Sequence, residues 1–225
     1  PWLSPCERWV ELEQLMADPR MTKLAELLVN YSVEIKPGDW VMVRGDVAAE
    51  PLVAEVVRQV VRAGGKPTVL LNSDAIEEAF LREASPKILG WVSPVNEMLY
   101  EQADVLMALR ATSNTRALTG IDPQKERIRA VANRGLTETY MRRSAAKELR
   151  WVGTQYPCPA YAQEADMSLS EYEDFVYAAT FCDCDDPVAE WKRVHDEQQK
   201  IVDWLAGRKI VTVKSPNAED RKSVV

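Results

Sequence analysis

Residues 40–71, WVMVRGDVAAEPLVAEVVRQVVRAGGKPTVLL, contain a strand–helix–strand unit that decides the fold. Trp40–Arg44 is a short apolar run of the kind found in buried strands. Pro51 suits the first helical position, where its missing N–H costs nothing. Apolar residues then recur at helical spacing, at Leu52, Val53, Val56, Val57, Val60 and Val61. The glycine pair at 64–65 ends this helix, and Thr68–Leu71 is the second strand, so the unit predicts two parallel strands with a right-handed crossover.

Strands and helices alternate on both sides of this unit. A helix is predicted upstream at Thr22–Ser32, and further strands are predicted downstream at Val105–Leu109 and Trp151–Gln155. Helices at 122–133 and 136–147 lie between those two strands. Such alternation is typical of a parallel sheet with helices on its faces. We therefore predict an α/β fold with an open, mostly parallel sheet of about four strands flanked by helices.

A helical subregion is predicted after the fourth strand, over Ala162–Ala206. Ser168 and Glu171 have the spacing of a capping box. Asp186 is predicted to cap a long helix that Pro187 opens. The apolar residues of that helix share one face and are predicted to be buried, namely Val188, Trp191, Val194, Ile201, Val202 and Leu205.

Ile210–Val213 is predicted to be an orphan strand at the C-terminal end, with no following partner in the chain. An unpaired strand exposes backbone N–H and C=O groups that can pair with another chain. Its isolation favours the interpretation that the sequence is a piece of a longer protein.

Both ends of the sequence are predicted to lie outside the natural protein. Pro1 is not an initiator and Met21 is the first plausible start, so residues 1–20 are expected to be a non-native or upstream extension; the alternative is a real extension of the protein. The last six residues, DRKSVV at 220–225, match a translation of a widely used sequencing-library adapter, GATCGGAAGAGCGTCGTG, which is followed by a stop triplet. We expect these six residues to be adapter translation; the alternative is a chance surface tail.

Composition and charge argue against several classes of function. The chain is 46% apolar and carries a net charge of −7, which argues against a nucleic-acid partner. No apolar run approaches the roughly 20 residues that cross a membrane, and the first residues do not read as a signal peptide. The cysteines show no disulfide framework, which favours a reducing cytoplasm; they are Cys6, Cys158, Cys182 and Cys184.

Patterns typical of catalysis or metal binding are weak. His195 is the single histidine and lies in a predicted helix, where a surface role is more common than a ligand role. The run Cys182–Pro187, CDCDDP, combines thiols with carboxylates but lacks a second cysteine pair. Gly45–Pro51 contains one glycine where a dinucleotide fold needs three. We therefore predict no catalytic and no metal-ligating residue in this chain.

Polar residues follow the third and fourth strands, at the edge where open parallel sheets bind ligands. We predict that these residues line a cleft that faces a second domain: Arg110, Asn114, Thr115, Arg116, Thr154, Gln155 and Tyr156. The alternative is ordinary turn and capping chemistry for Ser113, Asn114 and Thr115.

Several ordered blocks of the chain resemble the M29 family of metallo-aminopeptidases, the aminopeptidase T group. Residues 28–71 are similar to the opening strand–helix–strand of its amino-terminal domain. TSNTRALTGIDP at 112–123 and the segment 150–179, RWVGTQYPCPAYAQEADMSLSEYEDFVYAA, are similar to later blocks. DDPVAEW at 185–191 is similar to the start of the family's long helix. The similarity runs over about Met21–Glu219.

The resemblance implies a cytoplasmic exopeptidase that releases amino-terminal residues from peptides with two divalent metal ions of the zinc or cobalt type. The family's metal ligands belong to a carboxyl-terminal domain, so none is carried over to this chain. The family's amino-terminal domain helps to form a homodimer and shapes access to the active site.

The expected organisation follows from that resemblance. It consists of the extension 1–20, an α/β amino-terminal domain at 21–207, the first strand of a missing catalytic domain at 208–219, and adapter translation at 220–225. The alternative is a stand-alone α/β binding or interaction module without catalysis.

Overall fold

A computed structural model describes residues 18–215 and 218–223 of the chain, with side chains as far as residue 212. Cys6 and the predicted extension up to residue 17 lie outside the described residues, as do residues 224–225 of the predicted adapter segment. The chain divides into a first unit that ends at Asp185 and a second unit that begins at Asp186.

The first unit is built on a four-stranded sheet in which every strand is parallel to its neighbours. The strands are β1 Trp40–Asp46, β2 Lys66–Asn72, β3 Val105–Arg110 and β4 Arg150–Gln155. Their order across the sheet is β2-β1-β3-β4. Val41 pairs with Pro67 on one side and Val105 on the other, and Leu106 pairs with Trp151. The predicted α/β fold with four parallel strands is confirmed.

The helices of the first unit alternate with these strands. They are α1 Pro19–Leu27, α2 Glu50–Arg62, α3 Asp74–Glu83, α4 Pro86–Leu89, α5 Pro94–Gln102, α6 Pro123–Ala132, α7 Arg134–Ala145, α8 Pro159–Glu164 and α9 Leu169–Ala179. A π-helical turn at Leu28–Ser32 continues α1. Asp18 caps α1, and Arg20 pairs with both Asp18 and Asp174, so residues 18–20 are part of the folded unit.

Helices α1 and α2 lie on one face of the sheet. Helix α2 contacts β1, β2 and α1, and it buries Leu52, Val56 and Val60. A Cβ at Gly45 would lie 2.5 Å from Cγ2 of Val53. The one glycine of the segment 45–51 lies near the end of β1 and is therefore explained by close packing of α2 on the strand, so a phosphate-binding role is not needed to account for it.

Helices α5 and α7 lie on the opposite face. Leu99 and Ala103, at the end of α5, form a buried cluster with Met42 of β1, Leu106 of β3 and Leu149. Because side chains alternate along a strand, residues 44 and 46 of β1 face the same side as residue 42. This face carries the cavity described below.

The second unit contains one long helix and a hairpin. Helix α10 spans Pro187–Leu205, and β5 Ile210–Ser215 pairs antiparallel with β6 Ala218–Ser223. The prediction of an orphan strand is wrong. Ser215 lies opposite Ala218, so only two residues separate the strands, and the charged residues 219–222 of β6 lack the apolar alternation by which strands are recognised.

The predicted buried face of α10 is also wrong. None of its residues is buried, and Ile201 and Val202 are 59% and 56% exposed. The capping prediction is confirmed, since the Asp186 carboxylate accepts a hydrogen bond from the backbone N–H of Ala189. Apolar spacing identifies which face of a helix could be buried, but it does not show whether another part of the structure covers that face.

Candidate functional site

The strand order creates a switch point at the carboxyl ends of β1 and β3. From β1 the chain moves to β2 on one side, and it later returns to β3 on the other side of β1. The two loops that leave β1 and β3 therefore diverge, and open α/β sheets bind ligands in the crevice between such loops. The loop after β1 is a 3₁₀ turn at Val47–Ala49, and the loop after β3 begins at Ala111.

Two carboxylates accept hydrogen bonds from the loop after β3. Asp46 accepts a hydrogen bond from the backbone N–H of Ala111 at 3.1 Å, which joins the end of β1 to the loop after β3. Asp74, at the start of α3, accepts hydrogen bonds from the hydroxyl of Thr112 at 2.7 Å and from the N–H and hydroxyl of Ser113 at 3.0 Å each. The backbone N–H groups of Ala111 and Ser113 therefore already have acceptors within the protein.

These contacts change the ionisation of Asp74. Burial opposes its charge, but the hydrogen bonds from Thr112 and Ser113 and those from the backbone of Ser113 and Asn114 outweigh burial and lower its pKa. The ionised carboxylate is thus the form that orders the loop after β3.

Replacement of Asp74 by asparagine is expected to lower the free energy of unfolding at pH 7 by about 1–2 kcal/mol, because hydrogen bonds to a part-buried charge are lost. The folded pKa lies below the unfolded value near 3.9, so the ionised group stabilises the protein above about pH 4 and loses that effect as pH falls through the folded pKa. Urea unfolding at pH 7 and pH 3 should show a difference between wild type and variant that shrinks in acid.

The exposed Glu83 at the end of α3 provides a matched control. Glu83→Gln should change stability by no more than about 0.5 kcal/mol at either pH. An Asp74→Asn effect that is equally large at pH 3 would contradict the assignment to ionised Asp74.

Three of the seven predicted cleft residues lie together at the ends of β3 and β4. Arg110 is opposite Gln155 in the sheet, and the N–H of Tyr156 donates to the carbonyl of Arg110 at 2.8 Å. The side chain of Gln155 accepts a hydrogen bond from the hydroxyl of Tyr172 in α9 at 3.2 Å. Burial raises the pKa of Tyr156, whose phenol is therefore neutral near pH 7.

The other predicted residues make local contacts. The Asn114 side chain accepts from the N–H of Arg116 at 2.9 Å, which is turn chemistry. The Thr115 hydroxyl donates to Glu164 of α8 at 2.7 Å, and Arg116 lies 3.7 Å from the same carboxylate. The hydroxyl of Thr154 donates to the neighbouring carbonyl of Gln155 at 3.5 Å. These four therefore have structural partners in the protein.

A cavity of about 700 Å³ lies on the sheet face that α5 and α7 border. Its floor comes from the strands and includes Leu106, Ala108 and Gly153. Its walls and rim carry arginine, carboxylate, amide and aromatic side chains from several elements: Arg44, Asp46, Asn72, Asp74, Glu77, Asn96, Tyr100, Arg110, Arg129, Asn133, Tyr140 and Trp151. Of the predicted cleft residues, Arg110 is the one that lines it.

Sequence reasoning missed most of this cavity. Arg44 was included in an apolar strand, although its alternation with Met42 places it on the cavity face. Tyr100 and Tyr140 come from helices, and Asn133 from the turn between α6 and α7, and the placement of these elements on the sheet depends on tertiary packing. The sequence signal that could have identified the cavity is the pair of small residues Ala108 and Gly153 in neighbouring strands.

The cavity walls are held by contacts of their own. Arg44 donates to the hydroxyl of Tyr100, and Arg129 donates to the carbonyl of Trp91 and lies over the ring of Phe80. Tyr140 and Trp151 make an edge-to-face contact with ring centres 5.9 Å apart. Burial raises the pKa of Tyr140, which keeps this phenol neutral over a wider pH range.

The described residues do not bring together three or more histidine, cysteine, aspartate or glutamate side chains that could hold a metal ion. Cys182 is buried, which raises the pKa of its thiol, and a protonated thiol is a poor ligand. His195 is exposed on α10. The donor set of the described residues therefore does not fit a metal centre, and no metal-dependent step is assigned to them.

None of the helices in the described part of the chain is both long and apolar enough to cross a bilayer.

Comparison with known proteins gives consistent matches. The model of a family described as thermophilic metalloprotease, M29, matches residues 17–221. Aminopeptidase 2 of Geobacillus stearothermophilus is 27% identical over 202 residues, which cover 84% of this chain and 48% of that protein. The solved structure of wild-type AmpT from Thermus thermophilus aligns with a TM-score of 0.70 at 20% identity, over 89% of this chain and 52% of that one. The chain thus spans about half the length of the proteins that it matches.

Proposed function

The chain belongs to the M29 family of metallopeptidases, and from that premise we propose that it is the amino-terminal, non-catalytic part of a metal-dependent aminopeptidase. The observation that carries the proposal is the family match over residues 17–221, which includes both units. The AmpT alignment supports the fold, and the half-length coverage of both relatives supports the idea of one part of a longer enzyme.

In the proposed enzyme the chemistry resides outside this chain. Hydrolysis by a metallopeptidase needs converging metal ligands, and the donor chemistry of the described residues does not fit that requirement. We propose that two divalent metal ions, of zinc or cobalt type, are bound by the remainder of the enzyme. That site would polarise the scissile carbonyl and supply the attacking water.

The role proposed for this chain is to shape access to the active site. The carboxyl edge of the sheet, with Arg110, Gln155 and Tyr156, would face the catalytic domain. The substrate would be a peptide that loses its amino-terminal residue. The enzyme would act in the cytoplasm, as a homodimer, and without a nucleic-acid or membrane partner. The segment 208–219 would begin the catalytic domain. Of the two predicted foreign ends, residues 18–20 belong to the folded unit and residues 220–223 pair with β5, so foreign sequence is proposed only before Asp18 and after Ser223.

The proposal predicts that the purified 225-residue chain does not hydrolyse aminoacyl p-nitroanilides above the buffer rate, with added zinc or cobalt. Full-length Aminopeptidase 2, assayed in parallel, provides the positive control for metal and substrate. Metal-dependent turnover that follows the pure protein through chromatography would contradict the proposal.

The second candidate is a stand-alone α/β binding or interaction module. One observation favours it: β5 has a partner within the chain, in β6, so an unpaired strand no longer argues for a missing segment. Both candidates predict an inactive chain, and the source DNA separates them. A reading frame that continues past the codon for Glu219 supports the aminopeptidase part, whereas a genuine DRKSVV followed by a stop supports the module.

A further inference from the structure

We propose that the cavity bordered by α5 and α7 binds a small zwitterionic ligand with an apolar body, of the size and chemistry of a dipeptide. Its volume of about 700 Å³ falls within the roughly 300–1,000 Å³ typical of small-molecule sites. The choice of a peptide rests in part on the proposed function. The test below measures binding and not hydrolysis, so either proposal can fail without the other.

The charges around the cavity favour a zwitterion over a simple anion. Three arginines and three carboxylates line it, namely Arg44, Arg110, Arg129, Asp46, Asp74 and Glu77. Four of them form hydrogen bonds within the protein, namely Arg44, Arg129, Asp46 and Asp74. The other two, Arg110 and Glu77, form no ion pair and no side-chain hydrogen bond with the described residues. One free cation and one free carboxylate suit a ligand that carries both charges.

Phosphate recognition is disfavoured at the same edge. Phosphates are usually bound by free backbone N–H groups at a loop or a helix N-terminus. Here the N–H groups of Ala111 and Ser113 donate to Asp46 and Asp74. Helix α2 begins with Glu50 and Pro51, which bring a negative charge and remove a donor. Arginine–carboxylate pairing is therefore the better match for an anionic group.

The interior of the cavity supplies the remaining chemistry. The side-chain oxygen of Asn133 is buried and accepts no hydrogen bond from the described residues, and a buried acceptor of this kind normally has a donor. A peptide N–H is such a donor. Leu106, Ala108, Leu136 and Trp151 offer apolar surface for the ligand's side chains.

The small residues of the floor create this space. Ala108 and Gly153 are partners across β3 and β4, and a Cβ at Gly153 would make ordinary contact with Ala108, 3.7 Å from its carbonyl oxygen. Gly153→Val is therefore expected to fold, since valine suits a strand, while its side chain fills part of the cavity.

The test is isothermal titration calorimetry of the 225-residue chain with L-leucyl-L-leucine. We expect saturable binding that weakens about tenfold or more when the peptide's carboxylate is replaced by an amide, and again when Arg110 is replaced by methionine. Arg116→Met, in the same loop but beside Glu164, is the matched control and should bind as wild type does. Gly153→Val should abolish binding, with folding of each variant checked by circular dichroism.

Three results would overturn the proposal. The first is that no heat of binding is measured up to millimolar dipeptide. The second is that folded Arg110→Met and folded Gly153→Val both still bind the dipeptide as wild type does. The third is that inorganic phosphate binds as tightly as the dipeptide, with the same dependence on Arg110.

Discussion

Replacement of Arg143 by methionine is expected to destabilise the first unit by about 3–5 kcal/mol, because it removes the donor from one buried and two part-buried backbone carbonyls. Arg143 of α7 is only 8% exposed. Its guanidinium donates to the carbonyls of Tyr100 and Ala103 at 2.9 Å each and to the carbonyl of Glu148 at 3.2 Å.

The position of these acceptors explains the size of the effect. Tyr100 and Ala103 lie at the carboxyl end of α5, where helix carbonyls have no partner within the helix. Arg143 therefore caps α5 from α7 and fixes the two helices that border the cavity. Methionine keeps the apolar stem but cannot donate, so the buried carbonyl of Ala103 loses a donor away from water and the part-buried carbonyls of Tyr100 and Glu148 lose theirs.

Arg142→Met is the matched control, one residue earlier in the same helix. Its side chain is 64% exposed and lies 3.6 Å from Glu148, a surface pair that contributes at most about 1 kcal/mol. Urea unfolding of both variants at pH 7 provides the measurement. Equal losses for the two arginines would show that Arg143 acts only through helix propensity or surface charge.

The sheet could be predicted from the sequence because it depends on local signals. The predicted strands Trp40–Arg44 and Val105–Leu109 are almost entirely apolar, with Arg44 as the one exception. Strands that are covered by helices on both faces of a sheet have this composition. Pro51 and the glycines at 64–65 mark the ends of α2 by their backbone chemistry alone. Strand order could not be predicted, because parallel pairing depends on contacts between residues far apart in sequence.

The cavity could be predicted only in part, for the same reason. Arg110 was identified because it follows a strand and so must lie at the carboxyl edge. Arg44 and Asn133 come from different elements, and nothing in the sequence near either residue shows that they line one space. In contrast, Thr115 and Arg116 satisfied the same edge rule but contact Glu164, because the loop after β3 turns toward α8.

Apolar periodicity was misleading in α10 and correct in α2. The same spacing rule applies to both, but Leu52, Val56 and Val60 of α2 are buried on a helix that packs against β1 and β2, whereas Ile201 of α10 stays exposed. Periodicity therefore identifies a face, and only the tertiary structure shows whether that face is covered.

Leu99→Ala is the substitution expected to report most directly on the packing of α5 against the sheet. Leu99 is 1% exposed and packs with Met42, Ala103, Leu106 and Leu149. Truncation of a buried leucine to alanine costs about 2–5 kcal/mol, through lost transfer free energy and the cavity that remains. The new space would adjoin Leu106, which also lines the existing cavity, so the surroundings have little material with which to fill it.

The preceding residue, Met98, is 41% exposed on the same helix and provides the control. Met98→Ala should change stability by no more than about 0.5 kcal/mol, since little apolar area is lost and alanine favours the helix. Thermal unfolding monitored by circular dichroism should show a large fall in the midpoint for Leu99→Ala and almost none for Met98→Ala. If the two variants lost stability equally, α5 would not be anchored through Leu99, and the wall that α5 provides for the cavity would need another explanation.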